Sequence, residues 1–143
     1  MKVLSTEIEI GAGRERVWEI LADFDRYPEW NPFVRKIEGE KVVGGRLTVH
    51  IKPGDGKGIT LKPEIVRFEK HEAFVWKGKL LIGGLFDGKH EFRLEPIDRD
   101  TTRFIHREEF TGILVPILWR MLEEDTRKGF IEMNKALKTA AEA

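Results

Sequence analysis

An α+β fold, in which a curved antiparallel sheet wraps a long C-terminal helix, is predicted by three features of the sequence. Several runs alternate apolar and polar residues, two segments repeat apolar residues at helical spacing, and the clearest strands are apolar on one side only. A sheet packed on one face and solvated on the other needs helices on one side. A chain of 143 residues falls in the usual range of a single domain, and a domain that long buries roughly 68–70% of the surface its unfolded form exposes. The expectation is one soluble domain over residues 1–143.

The elements follow in order. From Lys2 to Ile10 the side chains alternate, with Leu4, Thr6, Ile8 and Ile10 on one face and Ser5, Glu7 and Glu9 on the other, so the segment reads as a half-buried strand ended by Gly11 and Gly13. Val17, Ile20, Leu21 and Phe24 then recur at helical spacing, with Trp18 expected half-exposed. The prolines of Tyr27-Pro28-Glu29-Trp30-Asn31-Pro32 leave room for one short helical turn around Asp25. Six strand-like runs follow, at about 33–39, 45–52, 58–69, 73–81, 86–95 and 101–111, making seven strands with the first. Phe86, His90, Phe92 and Leu94 share a face, as do Phe104, His106, Glu108 and Phe110, while charged residues occupy the opposite faces. In the third run the apolar parity moves from Ile59 and Leu61 to Val66 and Phe68 across Pro63, which predicts a bulge that curls the sheet. Pro116 suits a first helical turn, and Leu118, Leu122, Phe130, Met133, Leu137 and Ala140 trace the inner stripe of a helix reaching about Ala141. Gly129 inside it costs roughly 1 kcal/mol relative to Ala, which calls for close backbone packing or space for a ligand.

Composition removes several function classes. Lys and Arg total 25 and Asp and Glu total 25, so no excess charge draws the chain to nucleic acid or an anionic membrane. Cysteine is absent, which excludes disulfides, thiolate metal sites and a cysteine nucleophile. No apolar run approaches the length of a membrane span and the first residues lack a signal-peptide pattern, so the chain is read as cytoplasmic, monomer or homodimer. Glutamine is missing too; with abundant Glu, Lys and Arg this matches thermostable proteins, or an engineered or reconstructed sequence.

Local patterns then carry a resemblance. Val17-Trp18, Leu21-Ala22-Asp23 and Tyr27-Pro28-Glu29-Trp30-Asn31-Pro32-Phe33 resemble the N-terminal signature of the START-like or SRPBCC superfamily. The stretch from Gly84 to Phe92, the run Thr102 to Glu108 and the ending Gly129-Phe130 to Met133-Asn134-Lys135-Ala136-Leu137-Lys138 are similar to its polyketide cyclase/dehydrase-like branch. The match spans nearly the whole chain. It implies the helix-grip, START/Bet v 1-like fold in the order β-α-α-β6-α, with a deep cavity between the concave sheet and the last helix. For activity it implies little, because members of the superfamily carry lipids, sense hormones, cyclise aromatic polyketides or assist chaperones.

His90, His106 and Glu108 stand out, since three ionisable groups share the packed face of neighbouring strands at spacings of roughly 4.5–8 Å. Such a trio can satisfy itself as a buried polar network, anchor a hydroxyl or carbonyl of an apolar ligand, or move protons as general acid and base. A metal site finds no supporting ligand spacing, and no cofactor is implied. Trp30 and Phe33 at the second strand, Trp76, Phe92 and Phe110 on the sheet, and Leu118, Trp119 and Leu122 on the long helix complete the expected ligand wall. Gly83-Gly84 and Gly54-Asp55-Gly56-Lys57-Gly58 lack the Lys-Ser/Thr ending of a phosphate loop and read as hairpin turns. His50 and His71 are read as surface residues. The leading expectation is binding of a lipid-like or polycyclic molecule; the alternatives are a cyclase or dehydratase using the His/Glu trio, and a chaperone-associated interaction module.

Overall fold

The computed structural model describes residues 1–52, 58–79 and 83–143. Strand β1 (Lys2–Ile10) leads through Gly11 into helix α1 (Arg14–Leu21). A 3-10 turn at Phe24–Arg26 then runs into a one-turn helix, α2 (Tyr27–Trp30). This is more helix than the single turn expected around Asp25, because Pro28 falls in the first turn of α2, where no backbone N–H is needed. Asn31 ends it: its Oδ1 accepts from the backbone N–H groups of Phe33 and Val34 at 3.0 and 2.9 Å. Trp18, expected half-exposed, is buried edge-on against Phe68 and Phe74, with ring centroids 5.3 and 6.2 Å away.

The remaining strands are β2 (Val34–Gly39), β3 (Leu47–Ile51), β4 (Ile59–Leu61), β5 (Glu64–Glu69), β6 (Ala73–Lys79), β7 (Asp87–Asp98) and β8 (Thr101–Thr111). The helix-grip, α+β architecture is the one expected, with eight strands rather than seven among the described residues. The run at 58–69 splits because Pro63 has no N–H for a ladder. Two antiparallel sheets result, β1-β8-β7-β6-β5 and β2-β3-β4. The Arg46–Glu64 bridge and the hydrogen bond from Leu47 N–H to the Pro63 carbonyl, at 2.8 Å, join them at the break. Beyond it the register shifts between Ile65 and Arg67. That bulge turns Ile65 into the core and leaves Val66 exposed, so Ile65 takes the inward place assigned to Val66. The proposed Gly54–Gly58 turn lies largely outside the described residues, as does the end of the 73–81 run.

Helix α3 (Val115–Glu142) crosses the concave side with Phe130, Met133, Asn134, Leu137 and Ala141 buried beneath it. The stripe ends on Ala141 rather than Ala140. Its far end is tied to β1: Lys138 Nζ donates to the Glu9 carbonyl at 2.9 Å, and the Gly11 N–H donates to Glu142 Oε2 at 2.7 Å. Gly129 is a point of close packing, since a Cβ there would collide with the Phe33 ring. Among the described residues, no helix is long and apolar enough to cross a membrane.

Candidate functional site

The even-numbered residues of β7 and β8 point inward together, and the register sets His90 opposite Glu108, Phe92 opposite His106 and Leu94 opposite Phe104. Under the second half of α3 this face is solid. The His106 ring stacks on Phe130 at 3.8 Å and the His90 ring on Phe92 at 4.4 Å, while Phe74 stacks on the other side of the column against Phe92 at 4.4 Å. Both histidines are buried.

A directed chain of hydrogen bonds runs through that packing. Thr6 Oγ1 donates to the His106 carbonyl at 3.2 Å, and Asn134 Nδ2 donates to Thr6 Oγ1 at 2.9 Å. The Asn134 amide therefore turns its Oδ1 toward His106 Nδ1, 2.9 Å away. The Phe130 carbonyl also interacts with the His106 ring. Both partners only accept, so Nδ1 of His106 carries the proton and its Nε2 keeps a lone pair. His90 Nε2, 2.6 Å from His106 Nε2, must then be the donor. That leaves His90 Nδ1 facing Glu108 Oε1 at 3.4 Å.

Burial decides the charges. Loss of hydration pushes His106 down to about 3 against the pull of its Asn134 and Phe130 acceptors. The same loss, with His106 alongside, holds His90 well below the ordinary imidazole range. Burial pushes the Glu108 carboxyl up to about 8. At neutral pH the site is thus an uncharged carboxylic acid facing an uncharged imidazole, an arrangement able to exchange a hydrogen bond or a proton with whatever touches Glu108.

Glu108 touches a cavity. Under the first half of α3 lies a space of about 320 Å³, walled by Phe33, Trp76, Phe86 and Phe110, by Ile51, Ile59 and Leu61 of the smaller sheet, and by Leu122, Asp125 and Thr126 of α3. Gly78, Gly88 and Glu108 line the side toward the larger sheet, and Lys79 stands with Asp125 as the other charged groups. The surface is mainly apolar, and the volume falls at the small end of the roughly 300–1,000 Å³ typical of ligand sites.

Of the residues expected at a ligand wall, Phe33, Trp76, Glu108, Phe110 and Leu122 line this cavity. His90, Phe92 and His106 lie in the packed column beside it instead. Trp119 backs Phe110 at a ring distance of 5.0 Å, and Leu118 is half-buried against the core. Trp30 packs against Tyr27 at 5.1 Å in a separate surface cleft with Arg16 and Ala140. His50 is half-buried, with Nδ1 2.9 Å from Thr60 Oγ1. Sequence reasoning missed Asn134 and the glycine pair. The signal for Asn134 was a lone amide inside an apolar helical stripe.

This is the architecture of a helix-grip protein, a sheet and a terminal helix around an apolar hollow. The chain belongs to the polyketide cyclase/dehydrase and lipid transport family, whose model matches residues 1–142. It is similar to the crystal structure of the ZhuI aromatase/cyclase from Streptomyces sp. R1128, with a TM-score of 0.79 at 18% identity over 99% of this chain and 93% of that one. A START superfamily protein from Mycobacterium smegmatis superposes with a TM-score of 0.72 at 19% identity, over 98% of this chain and 97% of the other. Norcoclaurine synthase from Thalictrum flavum, in a point mutant bound to a transition-state analogue, gives 0.73 at 17% identity over 98% and 93%. No curated protein matches the sequence significantly.

Proposed function

We propose that the protein binds an apolar small molecule, lipid-like or polycyclic and polyketide-like, in the cavity between the sheets and the first half of α3. One observation carries the reading: about 320 Å³ of space is walled by four aromatic rings and aliphatic side chains, with a carboxyl set into it. An apolar hollow beside a core filled by stacked rings offers a ligand's apolar surface the packing contacts that its walls make nowhere else. Family membership and the likeness to aromatase/cyclase and START proteins support the same class.

The test is occupancy. Native mass spectrometry of gently purified protein should reveal a bound small molecule, and a fluorescent apolar probe should bind and be displaced by polycyclic competitors. Replacing Thr126 with Phe would fill the cavity from the helix side and should abolish probe uptake while the protein stays folded. Probe binding unaffected by that substitution would refute this location.

A second reading, acid/base catalysis of the cyclase or dehydratase kind, is favoured by Glu108, which lines the cavity and whose carboxyl burial pushes up to about 8. If the Glu108→Gln protein converts accepted polyketide-like substrates as fast as the unaltered protein, that reading fails.

A further inference from the structure

The hydrogen-bond chain gives the cavity a polarity of its own. Each link hands its proton in one direction, from Glu108 toward the interior: His90 donates to His106, His106 to Asn134, Asn134 to Thr6, and Thr6 to the His106 carbonyl. Because His106 Nδ1 faces only acceptors, the order cannot be reversed at any single link without leaving two donors or two lone pairs head to head. His90 is therefore fixed as the Nε2–H tautomer, and its buried Nδ1 offers a lone pair to Glu108 Oε1, 3.4 Å away. A buried acceptor left without a donor is costly, so the one carboxyl proton belongs on Oε1, toward His90. The other oxygen, Oε2, lies against Gly88 at the cavity wall, where the missing side chain leaves it room. With the proton committed to the inner side, Oε2 is an acceptor.

We propose that the cavity selects neutral ligands that end in a hydroxyl, such as a phenol, an enol or an alcohol, and that this hydroxyl donates to Glu108 Oε2. The inference rests on the apolar-ligand reading above and names the chemistry at its polar end. A ketone or ether of the same shape offers only lone pairs and would set acceptor against acceptor. Lys79 and Asp125, also on the cavity lining, are the charged groups a ligand meets there. Burial keeps Glu108 protonated to about 8, which supports the neutral carboxyl the scheme requires.

Three probes of one ring system decide it: 2-naphthol, 2-methoxynaphthalene and 2-acetylnaphthalene, titrated calorimetrically at pH 6.5. The unaltered protein should bind 2-naphthol about tenfold more tightly than either acceptor-only probe, the worth of one good hydrogen bond in a dry site. Glu108→Gln should keep that order, since its amide can donate to His90 and present its carbonyl to the ligand. Glu108→Leu should erase it. A preference for 2-acetylnaphthalene in the unaltered protein would overturn the proposal, as would equal affinity for all three, and either result would leave apolar binding intact. Loss of the preference in the Gln protein would overturn the assignment of the Glu108 proton to His90. Failure of all three probes to bind would remove both this inference and the reading beneath it.

Discussion

The two halves of α3 cover opposite kinds of interior. From Gly129 onward the helix lies on stacked rings; from Leu122 to Thr126 it spans a hollow. β6, β7 and β8 run beneath both halves, and along them the difference lies in consecutive inward pairs. Phe74 stands opposite Phe92 and Trp76 opposite His90, filling the space beneath the helix, whereas the next inward pair is Gly78 opposite Gly88. Neither glycine puts a ring into the cavity: Pro63 approaches Gly78 and the Glu108 carboxyl lies against Gly88, so the floor there is backbone and one carboxyl. The lesson is that a fold of this kind makes a binding site by subtraction, leaving the backbone ladder unbroken.

Substitutions in the two halves should therefore behave differently. The largest effect is expected from Phe130→Ala, which removes a fully buried ring stacked on His106 and should cost about 3–5 kcal/mol in urea unfolding. Next comes Asn134→Leu, which keeps the volume but takes an acceptor from His106 Nδ1 and a donor from Thr6; about 2 kcal/mol is expected by the same measurement.

Glu108 sharpens the comparison through pH. Folded, it holds its proton to about 8, while unfolded it releases it near 4.5, so between those values the unfolded chain binds fewer protons and stability falls as pH rises. His90 and His106 act oppositely: unfolded they take up protons below 6.5, folded they stay neutral, down to about 3 for His106, so stability is lost as pH falls below 6.5. The maximum should lie near pH 6.5. From there to pH 8 the Glu108 contribution should fall by about 2 kcal/mol, at roughly 1.4 kcal/mol per unit for one proton. The unfolded histidines are still losing protons above pH 6.5, which favours both proteins alike, so the loss should appear as the difference between the unaltered protein and Glu108→Gln in unfolding curves at the two pH values. Parallel alkaline limbs in the two proteins would mean that Glu108 ionises freely, contrary to its burial.

The smallest effect is expected on the hollow side. Leu122 is half-buried with open space on its inner face, so Leu122→Ala should cost below about 1 kcal/mol, well short of a filled core site. The same substitution should admit bulkier probes. A cost near that of Phe130→Ala would show that the hollow collapses in solution.

The fold was legible because strand parity and helical spacing are written residue by residue: the inward set of β7 and β8, and the stripe of α3 from Phe130 to Leu137, follow from alternation and periodicity alone. The trio His90, His106 and Glu108 was legible for the same reason. Periodicity says which face a residue takes but not what fills the space opposite it. For that reason Trp30 and Trp119 were set at the cavity, although one packs on Tyr27 and the other behind Phe110. The cavity itself depends on Gly78 meeting Gly88 across a register that alternation does not supply. Asn134 was hidden by distance, since its partners Thr6 and His106 lie 128 and 28 residues away along the chain.

Gly129 marks where the two halves meet. Its far end is lashed to the first strand through Lys138 and Glu142, its mid-point is seated against the Phe33 ring, and its start is held by the Leu114 N–H donating to the Leu85 carbonyl at 2.9 Å, so the helix is a beam pinned at three points. The unsupported span is the stretch between the buried Trp119 and Gly129, over the cavity. Any swelling needed to admit a bulky guest must come from bowing that span outward, while the stacked rings beyond Gly129 keep their places.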